Sequence, residues 1–126
     1  MRKIYVLRDL EKKNSVEEFL ETAMPKMRMK FEVLKSYLKN EKNVLCEPYI
    51  KHFETEKYKE LYEMRLRSAK TMVRIIFYLA DNNVILLHAF QKRDRKDTEN
   101  ALEYTIKILN NIKNTALYPT EKLEEI

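Results

Sequence analysis

Apolar and charged residues change their period several times along this chain, and each change marks an element. Lys3 to Arg8 (KIYVLR) is rich in β-branched and aromatic side chains and ends at a charged turn, Asp9 to Asn14, so it predicts a short strand. Ser15-Val16-Glu17-Glu18 has the form of a capping box. The Ser15 hydroxyl would bond the Glu18 amide while the Glu18 carboxylate reaches back, and a helix starts there. Pro25 tolerates only the first turn of a helix, so the first helix stops near Thr22–Met24 and a second begins at Pro25. Met27, Phe31, Leu34 and Leu38 then follow the spacing of one buried stripe, with Lys26, Arg28, Lys30, Lys35 and Lys39 on the rest of the surface.

Asn40 to Glu60 has no sustained period and contains Pro48, which predicts a connection with at most a short helical turn. Tyr62 to Arg67 alternates with period two, as a half-buried strand does. Tyr62, Met64 and Leu66 face the core, and Glu63, Arg65 and Arg67 share the opposite face. Thr71 to Leu79 and Asn83 to Phe90 are strongly β-forming, and Ala80-Asp81-Asn82-Asn83 between them has turn chemistry, so the two form a hairpin. A basic loop, Gln91 to Asp97, leads to a helix from Thr98 to about Lys113, capped by Asp97 or Thr98 and burying Ala101, Thr105, Ile108 and Ile112. The tail, about 116–126, is expected to fray. The predicted class is α+β over residues 1–126 as a single domain: a helical hairpin packed on an antiparallel sheet, with the C-terminal helix on the far side.

Composition narrows the chemistry. The 126 residues include no glycine, which removes every glycine-rich phosphate loop and implies no nucleotide cofactor. Two histidines and one cysteine, unclustered, imply no metal site, and Cys46 alone cannot form an internal disulfide. Charged residues make up 36%, and 25 Lys and Arg against 20 Asp and Glu bias the surface toward polyanions. The opening MRKIYVLRDL carries charge where a signal peptide needs an apolar run, and the longest apolar stretch, Ile75 to Ala80, is too short to span a bilayer, so a cytoplasmic protein is expected.

Four segments, in order, carry a resemblance. Ser15-Val16-Glu17-Glu18-Phe19-Leu20, Leu61-Tyr62-Glu63-Met64-Arg65, Val73-Arg74-Ile75-Ile76-Phe77-Tyr78 and Ile85-Leu86-Leu87-His88-Ala89-Phe90-Gln91-Lys92-Arg93 are similar to segments of the RelE/ParE superfamily of toxins, in its HigB-type, phage-derived branch. Ala101 also falls where that pattern places a small residue. The resemblance implies a RelE-like fold and the toxin of a type II toxin–antitoxin pair. It implies a ribosome-dependent, metal-independent endoribonuclease that cuts mRNA and is silenced by a helix-turn-helix, HigA-like antitoxin. The ParE branch instead binds DNA gyrase without nuclease activity, and an inactive phage-derived remnant binding RNA or antitoxin is a third reading.

By the same resemblance, Arg65 and Arg67 hold the scissile phosphate, Arg74 supports it from the next strand, and Arg93 stabilises the transition state beside Lys92, Arg95 and Lys96. Metal-free attack of a 2′-hydroxyl on its phosphate needs cations around a developing dianion, and guanidinium forks match phosphate geometry. The stacking tyrosine of RelE would fall near Glu99, so Tyr78, on one strand face with Arg74, or Tyr104 is expected to substitute. Glu63 reads foremost as a solvated ion-pair partner of Arg65 or Arg67 and secondarily as general base. His88 reads as a core histidine with one nitrogen satisfied rather than a catalytic acid, and His52 as facing water. The lysines of the second helix are either solubilising or in contact with ribosomal RNA.

Overall fold

A computed structural model describes residues 1–8, 12–114 and 123–126. The elements run β1 (Ile4–Leu7), α1 (Ser15–Thr22), α2 (Pro25–Lys39), β2 (Ile50–His52), a 3₁₀ turn (Glu56–Tyr58), β3 (Leu61–Ser68), β4 (Thr71–Ala80), β5 (Asn83–Gln91), α3 (Arg95–Asn114) and β6 (Leu123–Glu125). The strands form one sheet in the order β2-β3-β4-β5-β1-β6. The class is α+β, as the alternation of patterns predicts.

Alternation along the strands sorts the core into two layers. Met64, Leu66, Ile75 and Phe77 pack against Met27, Phe31, Leu34 and Leu38, so the whole α2 stripe is buried on one face of the sheet. Leu61, Ile76 and Ile85 pack against Ala101, Leu102, Leu109 and Ile112 of α3 on the other. With no glycine available, Asp81 (φ 50°) and Asn82 (φ 67°) turn the β4–β5 hairpin in the left-handed region that their short polar side chains tolerate. At the β3–β4 turn Ala69 takes φ 52°, where glycine is the usual residue.

Several expectations need correction. The helix α1 is capped by Asn14 rather than Ser15: the Asn14 side chain accepts the Glu17 amide and the Glu17 carboxylate accepts the Asn14 amide. Ser15 Oγ is engaged elsewhere, accepting the Ala89 N–H at 2.9 Å. The connection from Asn40 to Glu60 contains β2, which pairs antiparallel with β3. β1 joins the sheet parallel to β5, so the sheet is mostly rather than wholly antiparallel. Helix α3 begins at Arg95, three residues early, because Asp94 accepts the Asp97 N–H while Asp97 accepts those of Arg93 and Asp94. Ile108 is only half-buried, and Leu102 and Leu109 take the core positions. Of the tail expected to fray, Leu123–Glu125 pairs antiparallel with β1, and 116–122 lies outside the described residues.

Arg2 is 7% exposed, and the sequence reading passed it over. Its guanidinium donates to the carbonyls of Leu38 (3.3 Å), Asn40 (3.4 Å) and Glu41 (3.3 Å), satisfying the C-terminal end of α2. Among the described residues no helix is long and apolar enough to cross a membrane.

Candidate nucleic-acid interface

The cations gather at one end of the sheet through strand register. Arg65 of β3 pairs with Arg74 of β4, which pairs with Phe90 of β5. One step further along, Arg67 pairs with Met72, whose carbonyl accepts the Lys92 N–H at 2.8 Å. Adjacent strands lie about 4.8 Å apart, so Arg67 and Lys92 flank β4 at roughly 10 Å. Arg93 follows immediately, exposed, with its guanidinium 3.4 Å from the Gln91 side-chain oxygen.

Glu63 organises this cluster from beneath. Its side chain is 1% exposed, contrary to the expectation of a solvated partner. Oε1 accepts Arg74 Nη1 at 2.5 Å and Arg65 Nε at 3.1 Å, while Oε2 has no hydrogen-bond partner among the described residues. Arg67, the other expected partner, makes no ion pair among the described residues and is exposed. One carboxylate oxygen shared by two guanidiniums holds them side by side, an arrangement that suits a phosphate. Glu47 adds a second carboxylate to Arg65, 3.4 Å from its Nη1.

The remaining expected residues divide. Arg95 and Lys96 belong to the first turn of α3 and are exposed, with Arg95 3.5 Å from Glu99. The Asp97 carboxyl is held below the usual carboxylate range by the N–H groups of Arg93 and Asp94 that it accepts, and so anchors the loop carrying Arg93. Tyr78 shares the face of Arg74 but lies four residues along β4, about 13 Å away by strand rise. It is half-buried with the Lys113 ammonium over its ring, so it does not join the arginines. Tyr104 is 53% exposed and tilts onto His88, their ring centroids 4.6 Å apart.

His88 occupies the same face, paired with Ile76, which pairs with Glu63. Its Nδ1 lies 2.7 Å from Ser15 Oγ. That same hydroxyl accepts the Ala89 N–H, so it ties the His88 ring to the β5 backbone. Burial pushes His88 below the usual histidine range. His52 is exposed and bonds the Lys59 carbonyl. No three His, Cys, Asp or Glu side chains gather as a metal ligand set among the described residues.

Sequence reasoning missed the groove beside this cluster, an opening of about 710 Å³ between α2 and the outer edge of β3. Arg65, Arg67 and Arg74 line it together with Lys30 and Tyr49. Tyr49 lies in the stretch read as a connection, and the only local hint was the apolar Ile50 that follows it. Its carbonyl accepts the Arg65 N–H at 2.8 Å, which extends the β2–β3 pairing past the last regular residue.

The family model described as Phage derived protein Gp49-like (DUF891) matches residues 18–109, which include β3, β4, β5 and every arginine of the cluster. No curated protein and no solved structure matches the chain.

Proposed function

The chain belongs to the Gp49-like family of phage-derived proteins, and from that premise we propose that it is the toxin of a type II toxin–antitoxin pair that cleaves mRNA on the ribosome. Gp49-like proteins are associated with the toxins of toxin–antitoxin pairs. The observation that carries the nuclease reading is the Glu63 carboxylate gripping Arg74 and Arg65, with Arg67 and Arg93 at the same sheet end. A buried acid that holds two guanidiniums side by side suits phosphate chemistry, which draws on positive charge positioned before the reaction.

In this reading the 2′-hydroxyl of a nucleotide gives its proton to water and its oxygen attacks the adjacent 3′-phosphate. The bond from phosphorus to the next nucleotide's 5′-oxygen breaks, that oxygen takes a proton from water, and a 2′,3′-cyclic phosphate is left, with the arginines stabilising the dianionic intermediate. Arginine exchanges no proton at physiological pH, and Glu63 Oε1 is committed to two guanidiniums. The cluster therefore supplies charge without efficient proton transfer. Alignment of the message must come from the ribosome, which contributes the entropic share of catalysis. The partners are thus mRNA, the ribosome in the cytoplasm and a cognate helix-turn-helix antitoxin.

The test compares purified protein on free mRNA and on programmed ribosomes, with products mapped by primer extension. Cleavage within codons on ribosomes, with free mRNA largely intact, is the expected result. Rapid cutting of free RNA overturns the mechanism. No cutting in either setting, together with inhibition of DNA gyrase, moves the chain to the ParE-like reading.

A further inference from the structure

We propose that the groove between α2 and the outer edge of β3 is a nucleotide-base subsite, with Tyr49 as its stacking platform. The occupant is the single-stranded RNA whose phosphate rests on Arg65 and Arg74. The inference depends on the nuclease reading only for the identity of that strand.

Three observations carry it. The first is the ring of Tyr49. Tyr49 and Tyr104 are the two exposed aromatic side chains among the described residues, at 61% and 53%. Tyr104 already leans on His88, whereas Tyr49 makes no ring contact of its own among the described residues. Its backbone is not free to drift, because its carbonyl is bonded to the Arg65 amide. A ring with open faces on an anchored backbone is what base stacking uses, since every base offers a π-face.

The second is charge. The groove is lined by Lys30, Arg65, Arg67 and Arg74, and by no carboxylate among the described residues. Glu63 and Glu47 already neutralise part of Arg65 and Arg74, but Lys30 and Arg67 have no ion pair among the described residues and both are exposed. Two uncommitted cations beside an aromatic plate suit a sugar-phosphate strand, one phosphate to each side of the stacked base.

The third is continuity and size. Arg65 and Arg74 belong both to the groove and to the Glu63 cluster, so a strand bound at the cluster meets the groove within one nucleotide. A volume of about 710 Å³ lies within the range of small-ligand sites, roughly 300–1,000 Å³. Apolar walls from Met29, Val33 and Leu66 exclude water from a base and ask nothing of its hydrogen-bonding edge. Recognition here is therefore by stacking and tolerates several bases.

The probe is a fluorescent 2′-O-methyl hexanucleotide, which lacks the attacking hydroxyl, titrated by anisotropy against the intact protein at low salt. Tyr49→Ala should weaken binding roughly 5- to 150-fold, the span of a lost base–aromatic stack, whereas Tyr49→Phe should stay within about twofold of the parent. Arg67→Ala should lower the slope of log affinity against log salt by about 1. Unchanged melting of the Tyr49 variants shows that the ring, not the fold, is being read.

Binding unaffected by Tyr49→Ala, or weakened instead by Tyr104→Ala alone, places the strand toward α3 and overturns the proposal. No measurable binding by the folded parent protein overturns it as well. Loss of antitoxin binding in Tyr49→Ala with RNA binding intact gives the groove to a protein partner and also refutes it. The two readings fail separately. Tyr49-dependent binding without cleavage on ribosomes leaves the subsite and sinks the nuclease, and cleavage with unaltered Tyr49→Ala binding does the reverse.

Discussion

Replacing Glu63 by glutamine removes one charge from beneath the arginines while keeping the shape of the side chain. In the parent protein Arg74 is 9% exposed and its Nη1 is 2.5 Å from the Glu63 carboxylate, so the substitution leaves a buried cation without its counter-ion. Removing one partner of a buried pair costs about 3–5 kcal/mol. Arg65 is more exposed and keeps Glu47, so its share is small, and the low end, about 3 kcal/mol, applies. Unfolding entropy near 2.1 cal/mol/K per residue gives roughly 0.26 kcal/mol/K for this chain. The melting temperature should therefore fall by about 11 °C. Thermal unfolding followed by circular dichroism at pH 7 measures it, with Arg67→Ala as the exposed control that should melt within about 2 °C of the parent. The double variant Glu63→Gln/Arg74→Met should recover most of the loss, because removing both charges leaves neither stranded. A Glu63→Gln protein that melts like the parent, or a double variant no better than the single, would refute the reasoning.

Four further outcomes follow, three from the fold and one from the proposed function. Ala69→Gly should raise stability by about 0.5–1 kcal/mol in urea unfolding, since φ 52° carries a Cβ penalty that glycine lacks; a loss would mean that Ala69 does not hold that conformation in solution. His88 is depressed by burial, so the unfolded chain takes up its proton first: the His88 contribution is intact above about pH 6.5 and is lost as pH falls from there toward the folded value. His88→Gln should flatten that segment of the stability–pH curve, and an unaltered curve would exclude the assignment. Leu66→Ala should cost roughly 2–5 kcal/mol as a core truncation, while Arg93→Ala should leave melting unchanged yet relieve the growth arrest caused by inducing the protein alone; arrest persisting with stable Arg93→Ala protein would count against the nuclease.

What was legible in the sequence was whatever repeats. The α2 stripe, the Tyr62–Arg67 alternation and the β4–β5 hairpin each rest on several residues agreeing on one period, and each appears where expected. What was not legible depended on one contact between distant segments. Asn14 and Ser15 are both acceptable caps, and only the approach of Ala89 and His88 withdraws the Ser15 hydroxyl from the helix. β2 has three residues, too few for a period, and exists because β3 offers it an edge. Glu63 was assigned correctly to an arginine but to the wrong side of the surface, since period two identifies a face without saying whether that face is covered. That face is covered at the height of Glu63, and the Arg65 and Arg74 guanidiniums close on the carboxylate.

The position of β1 sets the order in which the molecule can assemble. β2 to β5 are consecutive neighbours joined by short connections, so they can zip locally with little loop-closure entropy. β1 has no slot until β5 exists: Ile4 pairs with Val84, and only afterwards can Leu123–Glu125 pair with β1 in turn. β1 precedes its partners along the chain yet is among the last strands to settle, and substitutions in it should act on the unfolding rate rather than the folding rate. Arg2 ties a second event to the same step. When β1 lifts away, its guanidinium leaves the carbonyls of Leu38, Asn40 and Glu41, so the end of α2 loses its cap in the same excursion that bares the flank of β5. The sheet margin and the helix end thus open as one cooperative unit, remote from the arginines, which stay held on the strands that formed first.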